Sequence, residues 1–241
     1  MKQYEQIIEV MKRNGGYATL GYLYQMVDVS TWATKTPFAS IRRIVQMKQY
    51  FFKIKSGLWA LVDFKEDVLD KLQINEIANK EKQDTFTHSY YQGLLLELGN
   101  IKGYKTFYPP QDKNKQFLGK PLSSISSVSL LDFSFSYPEI VQKAKTVDVI
   151  WFNKRKMPDS FFEIEHSTNI EHSLVKFVEL QDFYSKFYII AAKEREREFY
   201  INMEKDVFSV LMKHKRVEFK DYDTISALHA KTFELLALGD L

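Results

Sequence analysis

Glu163 and Glu165 stand one residue apart in FFEIEHSTNI, Phe161 to Ile170, a segment that otherwise reads as core. In an extended strand, residues two apart project from the same face, so the two carboxylates point together while Phe162, Ile164 and His166 point away. Side-by-side carboxylates repel, and burying either uncompensated is costly. A divalent cation removes both problems. Asp148 lies in the preceding strand pattern, TVDVIWFN, and a hairpin turning at 153–159 brings it beside the pair. Three carboxylates on adjacent strands make a hard, oxygen-rich site suited to Mg2+. The plain alternative is an acidic alternation on a solvent-exposed sheet face. The flanking Phe161 and Phe162, and a following helix that should cover one face, weigh against it.

Other chemistries find little support. Of the five histidines, His166 points away from the carboxylates, and nothing pairs His88 and His172, each in a helical pattern, as zinc ligands. His214 and His229 are uninformative. There is no nucleophile elbow and no glycine-rich phosphate loop with a lysine. Cysteine is absent, which excludes disulfides and thiolate metal sites and suits a reducing cytoplasm, the expected location. No apolar run approaches the roughly 18 residues of a membrane span. The segment MKQYEQIIEVMKRNGG carries acids and amides among its apolar positions, unlike a signal peptide.

The elements that must position the carboxylates are α and β mixed. The chain has 241 residues, 45% hydrophobic and 27% charged, enough for one large or two ordinary folded domains. DTFTHSYYQGLLLELGNIKGY predicts a helix from about Asp84, YKTFYPP a strand stopped by prolines, and SFFEIEHS a strand. EHSLVKFVELQDFYSK predicts a helix and KFYIIAAK a buried strand. EREREFYINMEKDVFSVLMKHK is helical in pattern, RVEFKDY extended, and DTISALHAKTFELLAL a final helix. Residues 111–146, serine-rich and then apolar, predict an insertion with its own helix or strands.

The N-terminal quarter differs in charge. Residues 1–64 hold nine Lys and Arg against four Asp and Glu, whereas 65–241 hold 25 against 27. A basic module suggests an anionic partner. YEQIIEVMKRNGG, TLGYLYQMV and TPFASIRRIVQMKQ read as three helices, the last with Thr36 as cap and Pro37 at its first position. FFKIKSGLWALV reads as a β-hairpin around Ser56–Gly57. Residues 65–83 predict a connecting helix and linker, and 84–241 a second domain.

Three helices and a hairpin make a winged helix. TPFASIRRIVQ followed by YFFKIKSGLWAL resembles the small winged-helix domains fused to restriction enzymes and chromatin factors, over about residues 1–63. The resemblance implies that the third helix lies in the DNA major groove, with Ser40, Arg42, Arg43, Lys48, Lys53 and Lys55 toward phosphates or base edges. The alternative is that these cations merely solvate the outer face.

The array VDVIWFN, FFEIEHSTNI, SLVKFVELQDFY, FYIIAAK resembles the PD-(D/E)xK nucleases, in the restriction-endonuclease-like branch with E-x-E in place of E-x-K. The likeness spans roughly 84–225 and is weak across 111–146. It implies hydrolysis of DNA phosphodiester bonds, with Mg2+ held by Asp148, Glu163 and the Ile164 carbonyl, and with Glu165 holding or deprotonating water. Lys176 is open to three readings: a migrated cation, a phosphate contact, or, most plainly, a solvated surface residue. Glu97 is an outer metal partner or, more commonly for such a residue, a helix-surface acid. The reading is a type II-like restriction endonuclease acting on double-stranded DNA. It is α+β, with an N-terminal winged helix and a nuclease domain built on a central mixed sheet, and it is a homodimer because cutting both strands needs two sites. The alternatives are a non-catalytic winged-helix regulator and a structure-specific repair nuclease.

Overall fold

The structure, a computed structural model, describes residues 1–75, 79–128, 131, 133–213 and 215–239. Parts of the 65–83 linker and of the 111–146 insertion, together with His214, therefore lie outside the described residues. By contact the chain divides into Met1–Ala78 with Ser226–Leu241, and Asn79–Ile225.

The first unit contains α1 (Gln3–Arg13), β1 (Tyr17–Thr19), α2 (Leu20–Met26), α3 (Pro37–Ile44), β2 (Phe51–Lys55), β3 (Leu58–Leu61) and α4 (Lys65–Lys71). Its strands form an antiparallel sheet in the order β1-β3-β2. β1 was not expected: three residues, all buried, are too few to show an alternation. Ile7, Met11, Leu23, Ile41 and Val45 form the core, as the helical spacing predicts. Pro37 opens α3, but the Thr36 side chain makes no capping bond.

The second unit contains α5 (Lys80–Ile101), β4 (Lys105–Phe107), β5 (Gln116–Phe117), β6 (Lys120–Pro121), α6 (Pro138–Ala144), β7 (Val149–Phe152) and β8 (Pro158–Glu165). α7 (Ile170–Glu179), β9 (Lys186–Ala191), α8 (Glu196–Met203), α9 (Ser209–Lys213) and β10 (Val217–Asp221) follow. α10 (Tyr222–Leu238) closes the chain; from Ser226 on it counts with the first unit, where the sequence reading places it in the second domain. The central sheet is mixed, in the order β10-β9-β8-β7-β4: the first three strands are parallel to one another, and β7 and β4 run antiparallel to their neighbours. α5 begins before Asp84, capped by the Asn79 side chain on the Lys82 N–H. The polar run KEKQ hides that first turn because it carries no apolar periodicity.

β8 is buried along nearly its whole length. Phe161 packs with Phe187, which also meets Phe177, on one face, and Phe162 packs with Trp151 and Tyr188 on the other. Within the insertion, β5 and β6 form a short hairpin, anchored on α5 where Phe117 fills the space beside Gly93. A Cβ on Gly93 would lie 2.2 Å from that ring. Gly93→Ala is therefore expected to cost about 1–3 kcal/mol through overpacking, read as a lower urea midpoint. An unchanged midpoint would mean that the hairpin yields freely.

Candidate active site

Val149 pairs with Phe162 across the antiparallel β7–β8 ladder, which sets Asp148 opposite Glu163. Asp148 is the residue just before β7 rather than a residue of the strand as expected. That freedom lets its carboxylate fold over the strand end, where Oδ2 accepts the Ile164 N–H at 2.7 Å. Glu163 and Glu165 are 2% and 4% exposed, so the alternation is not a solvated sheet face.

α7 supplies the compensation. Its Asn169 cap starts the helix immediately after β8, and the helical repeat then aims Ser173 and Lys176 at the acidic face. Lys176 Nζ lies 3.0 and 2.9 Å from the two Glu163 carboxylate oxygens and 3.2 Å from the Thr146 carbonyl. Lys176 is thus a partner of the acids, which corrects its plain reading as a solvated residue. Ser173 Oγ is 2.9 Å from Glu163 Oε2 and also bonds Glu165, whose other oxygen takes the Thr168 hydroxyl. One hydroxyl proton cannot serve two carboxylates, so the face is short of positive charge.

The protonation energetics express the same shortage. Burial, reinforced by the nearby Asp148 charge, pushes Glu163 well above the usual carboxylate range despite the counteracting Lys176. Burial acts on Asp148 in the same sense, but contact with His88, the Ile164 N–H and Lys176 outweighs it and holds Asp148 below the usual range. Burial opposes the Lys176 charge, yet Glu163 raises it further. The face thus favours the anionic form of Asp148 and disfavours that of Glu163.

On the other side of Asp148, α5 contributes His88 and Gln92, one turn apart. His88 Nε2 is 3.2 Å from Asp148 Oδ2, and Gln92 Nε2 donates to the Asp148 carbonyl at 2.8 Å. Glu97, half-buried, lies on the opposite side of α5 from His88 at about 100° per residue. The i, i+4 spacing of His88 and Gln92 and the i, i+3 spacing of Ser173 and Lys176 were the available signals for these partners. His166 points away, as expected, between Asp84 and Tyr222.

The family model for the type II restriction enzyme NmeDI C-terminal domain matches residues 54–237. The chain belongs to that family. The type II restriction enzyme NmeDI of Neisseria meningitidis serogroup C is 21% identical over 151 residues, covering 59% of this chain and 42% of that relative. The chain thus matches less than half the length of that relative. No solved structure matches.

In this NmeDI-family chain the basic residues of the first unit divide into two groups. Ser40 is 8% exposed, on the side of α3 that meets its neighbours, whereas the Arg42 side chain is 41% exposed with its Nη1 3.0 Å from both the Tyr24 hydroxyl and Glu234. Arg43, Lys48 and Lys53 are exposed, and Lys55 is partly buried. If the first unit binds duplex DNA, reversing Arg43 and Lys53 to Glu weakens that binding and flattens its salt dependence by about one unit of slope for each phosphate that is no longer neutralised. Arg42→Ala should instead lower the stability of the first unit. Among the described residues no helix is long and apolar enough to cross a membrane.

Proposed function

We propose that the chain is a Mg2+-dependent deoxyribonuclease of the type II restriction class, with a PD-(D/E)xK-type centre and an N-terminal winged helix that reads double-stranded DNA. One observation carries the reading: Asp148 and Glu163 face each other across β7–β8 with the Lys176 ammonium on Glu163. Family membership supplies the chemistry to test. Homodimerisation, which would place one centre on each strand, and a cytoplasmic location belong to the same proposal.

The donor set fits the ion. Two buried carboxylates and a third alongside, all hard oxygens, share one ammonium and too few hydroxyl protons, the deficit that a divalent cation relieves. Asp148, Glu163 and the Ile164 carbonyl would hold Mg2+, which would supply Lewis-acid polarisation of the scissile phosphate and a more acidic attacking water. The chain's own groups do the rest. Lys176, partly open to solvent and held on Glu163 from α7, would act as a migrated cation, steadying developing phosphate charge. Glu165, closed in by Thr168 and Ser173, fixes Ser173 and through it Glu163, and would hold the attacking water or take its proton.

Plasmid DNA incubated with the protein tests this. Discrete fragments with Mg2+ and none with EDTA are expected. A gel shift without cutting would leave a DNA-binding regulator, and cleavage confined to branched substrates would leave a repair nuclease.

A further inference from the structure

His88, Asp112, Asp148, Gln92 and Lys115 close a ring of contacts beside the proposed centre. Lys115 Nζ is 2.9 Å from Asp112 Oδ1 and 3.3 Å from His88 Nδ1. His88 Nε2 is 3.2 Å from Asp148 Oδ2. Gln92, wholly buried, donates to Asp112 Oδ2 at 3.0 Å and to the Asp148 carbonyl at 2.8 Å. Both of its partners are acceptors, so the amide orientation is fixed, and Gln92 Oε1 is left buried without a partner among the described residues. The amide is committed to holding Asp148 and Asp112 in place.

The ligand atoms of His88, Asp112 and Asp148 lie within 4.8 Å of one another, which invites a second metal site. The chemistry argues otherwise. An ammonium can only donate, so Lys115 requires the lone pair of His88 Nδ1. The ring proton then sits on Nε2, facing Asp148, and Nε2 has no lone pair for a cation. A metal-bound histidine would need the reverse, an acceptor at its second nitrogen. Asp112 already has Lys115 and Gln92.

We infer that His88 is a positioning residue: Lys115 sets its tautomer, and its Nε2–H holds the Asp148 carboxylate in the orientation that receives the metal. The inference rests on the reading of Asp148 as a metal ligand. It also gives the insertion a task, since Asp112 and Lys115 come from the stretch between β4 and β5. Removing such an outer partner of a metal ligand weakens metal binding by about 10–100-fold.

The test uses the full chain and the metal alone. Mn2+ binding is measured by calorimetry for the wild type, His88→Ala, His88→Gln and Lys115→Ala, and the imidazole nitrogens are followed by 15N NMR, with His88 assigned by its loss in His88→Gln. A wild-type His88 protonated on Nε2 is expected, with a mixture of tautomers in Lys115→Ala. Mn2+ affinity should fall about 10–100-fold in His88→Ala, less in Lys115→Ala, and recover in part in His88→Gln, which restores an N–H donor. Wild-type Mn2+ affinity in folded His88→Ala, or a wild-type His88 protonated on Nδ1, overturns the inference. If His88→Ala fails to fold, wild-type affinity and an unchanged His88 tautomer in Lys115→Ala overturn it. Absence of Mn2+ binding in the wild type overturns instead the metal-site reading beneath it.

Discussion

Asp148→Ala and Glu163→Ala each reduce DNA cleavage by at least about 10²–10³-fold, the range for removing one group that stabilises developing charge, while duplex affinity stays near that of the wild type. The two residues are expected to fail differently. Asp148 sits partly open at the mouth of the face and is already ionised; replacing it removes a standing ligand and frees the Ile164 N–H. Glu163 is buried and held above the usual carboxylate range, so its replacement removes a disfavoured anion but also leaves the Lys176 ammonium without its carboxylate. Nicking and linearisation of plasmid at saturating Mg2+, beside a gel shift without Mg2+, read both effects. If both variants cut at the wild-type rate, the site assignment is wrong.

Lys176→Met removes cleavage and shifts the pH dependence of stability. The sign follows from Glu163. A carboxyl raised in the folded state binds more protons folded than unfolded across the window between its usual and its raised value, so stability falls as pH rises through that window. Lys176 limits that fall by offsetting the Glu163 charge. Without it the Glu163 value climbs further and the fall deepens. Leaving a buried charge without its partner costs about 3–5 kcal/mol, an upper figure here because Glu163 can take up a proton instead. In urea titrations the variant should trail the wild type most at mildly alkaline pH and converge on it in acid, where Glu163 is protonated in both. An equal deficit at both pH values would show that Lys176 contributes through its methylene packing alone.

The strand carrying the acids, its facing aspartate and the helix after it were legible because each depends on a local pattern. β8 is a run of aromatic and β-branched residues with its acids two apart, and α7 shows its apolar stripe plainly. What compensates the acids was not legible, because it depends on which side of each helix meets the sheet. Lys176 looks like any helix lysine until Glu163 is seen in front of it. His88 and Glu97 differ on α5 only in the direction they point. Asp112 and Lys115 come from a stretch with no period at all, and their place is set by Phe117 seated on Gly93. In the first unit the cations of α3 were visible, but not that Arg42 meets Tyr24 and Glu234, the latter 192 residues distant along the chain.

Anomalous scattering from crystals grown with Mn2+ tests the central assignment most directly. A peak bounded by Asp148, Glu163 and the Ile164 carbonyl, with Lys176 still beside Glu163, is the predicted result. Ordered crystals with Mn2+ only elsewhere on the chain, or none on these oxygens, would contradict it.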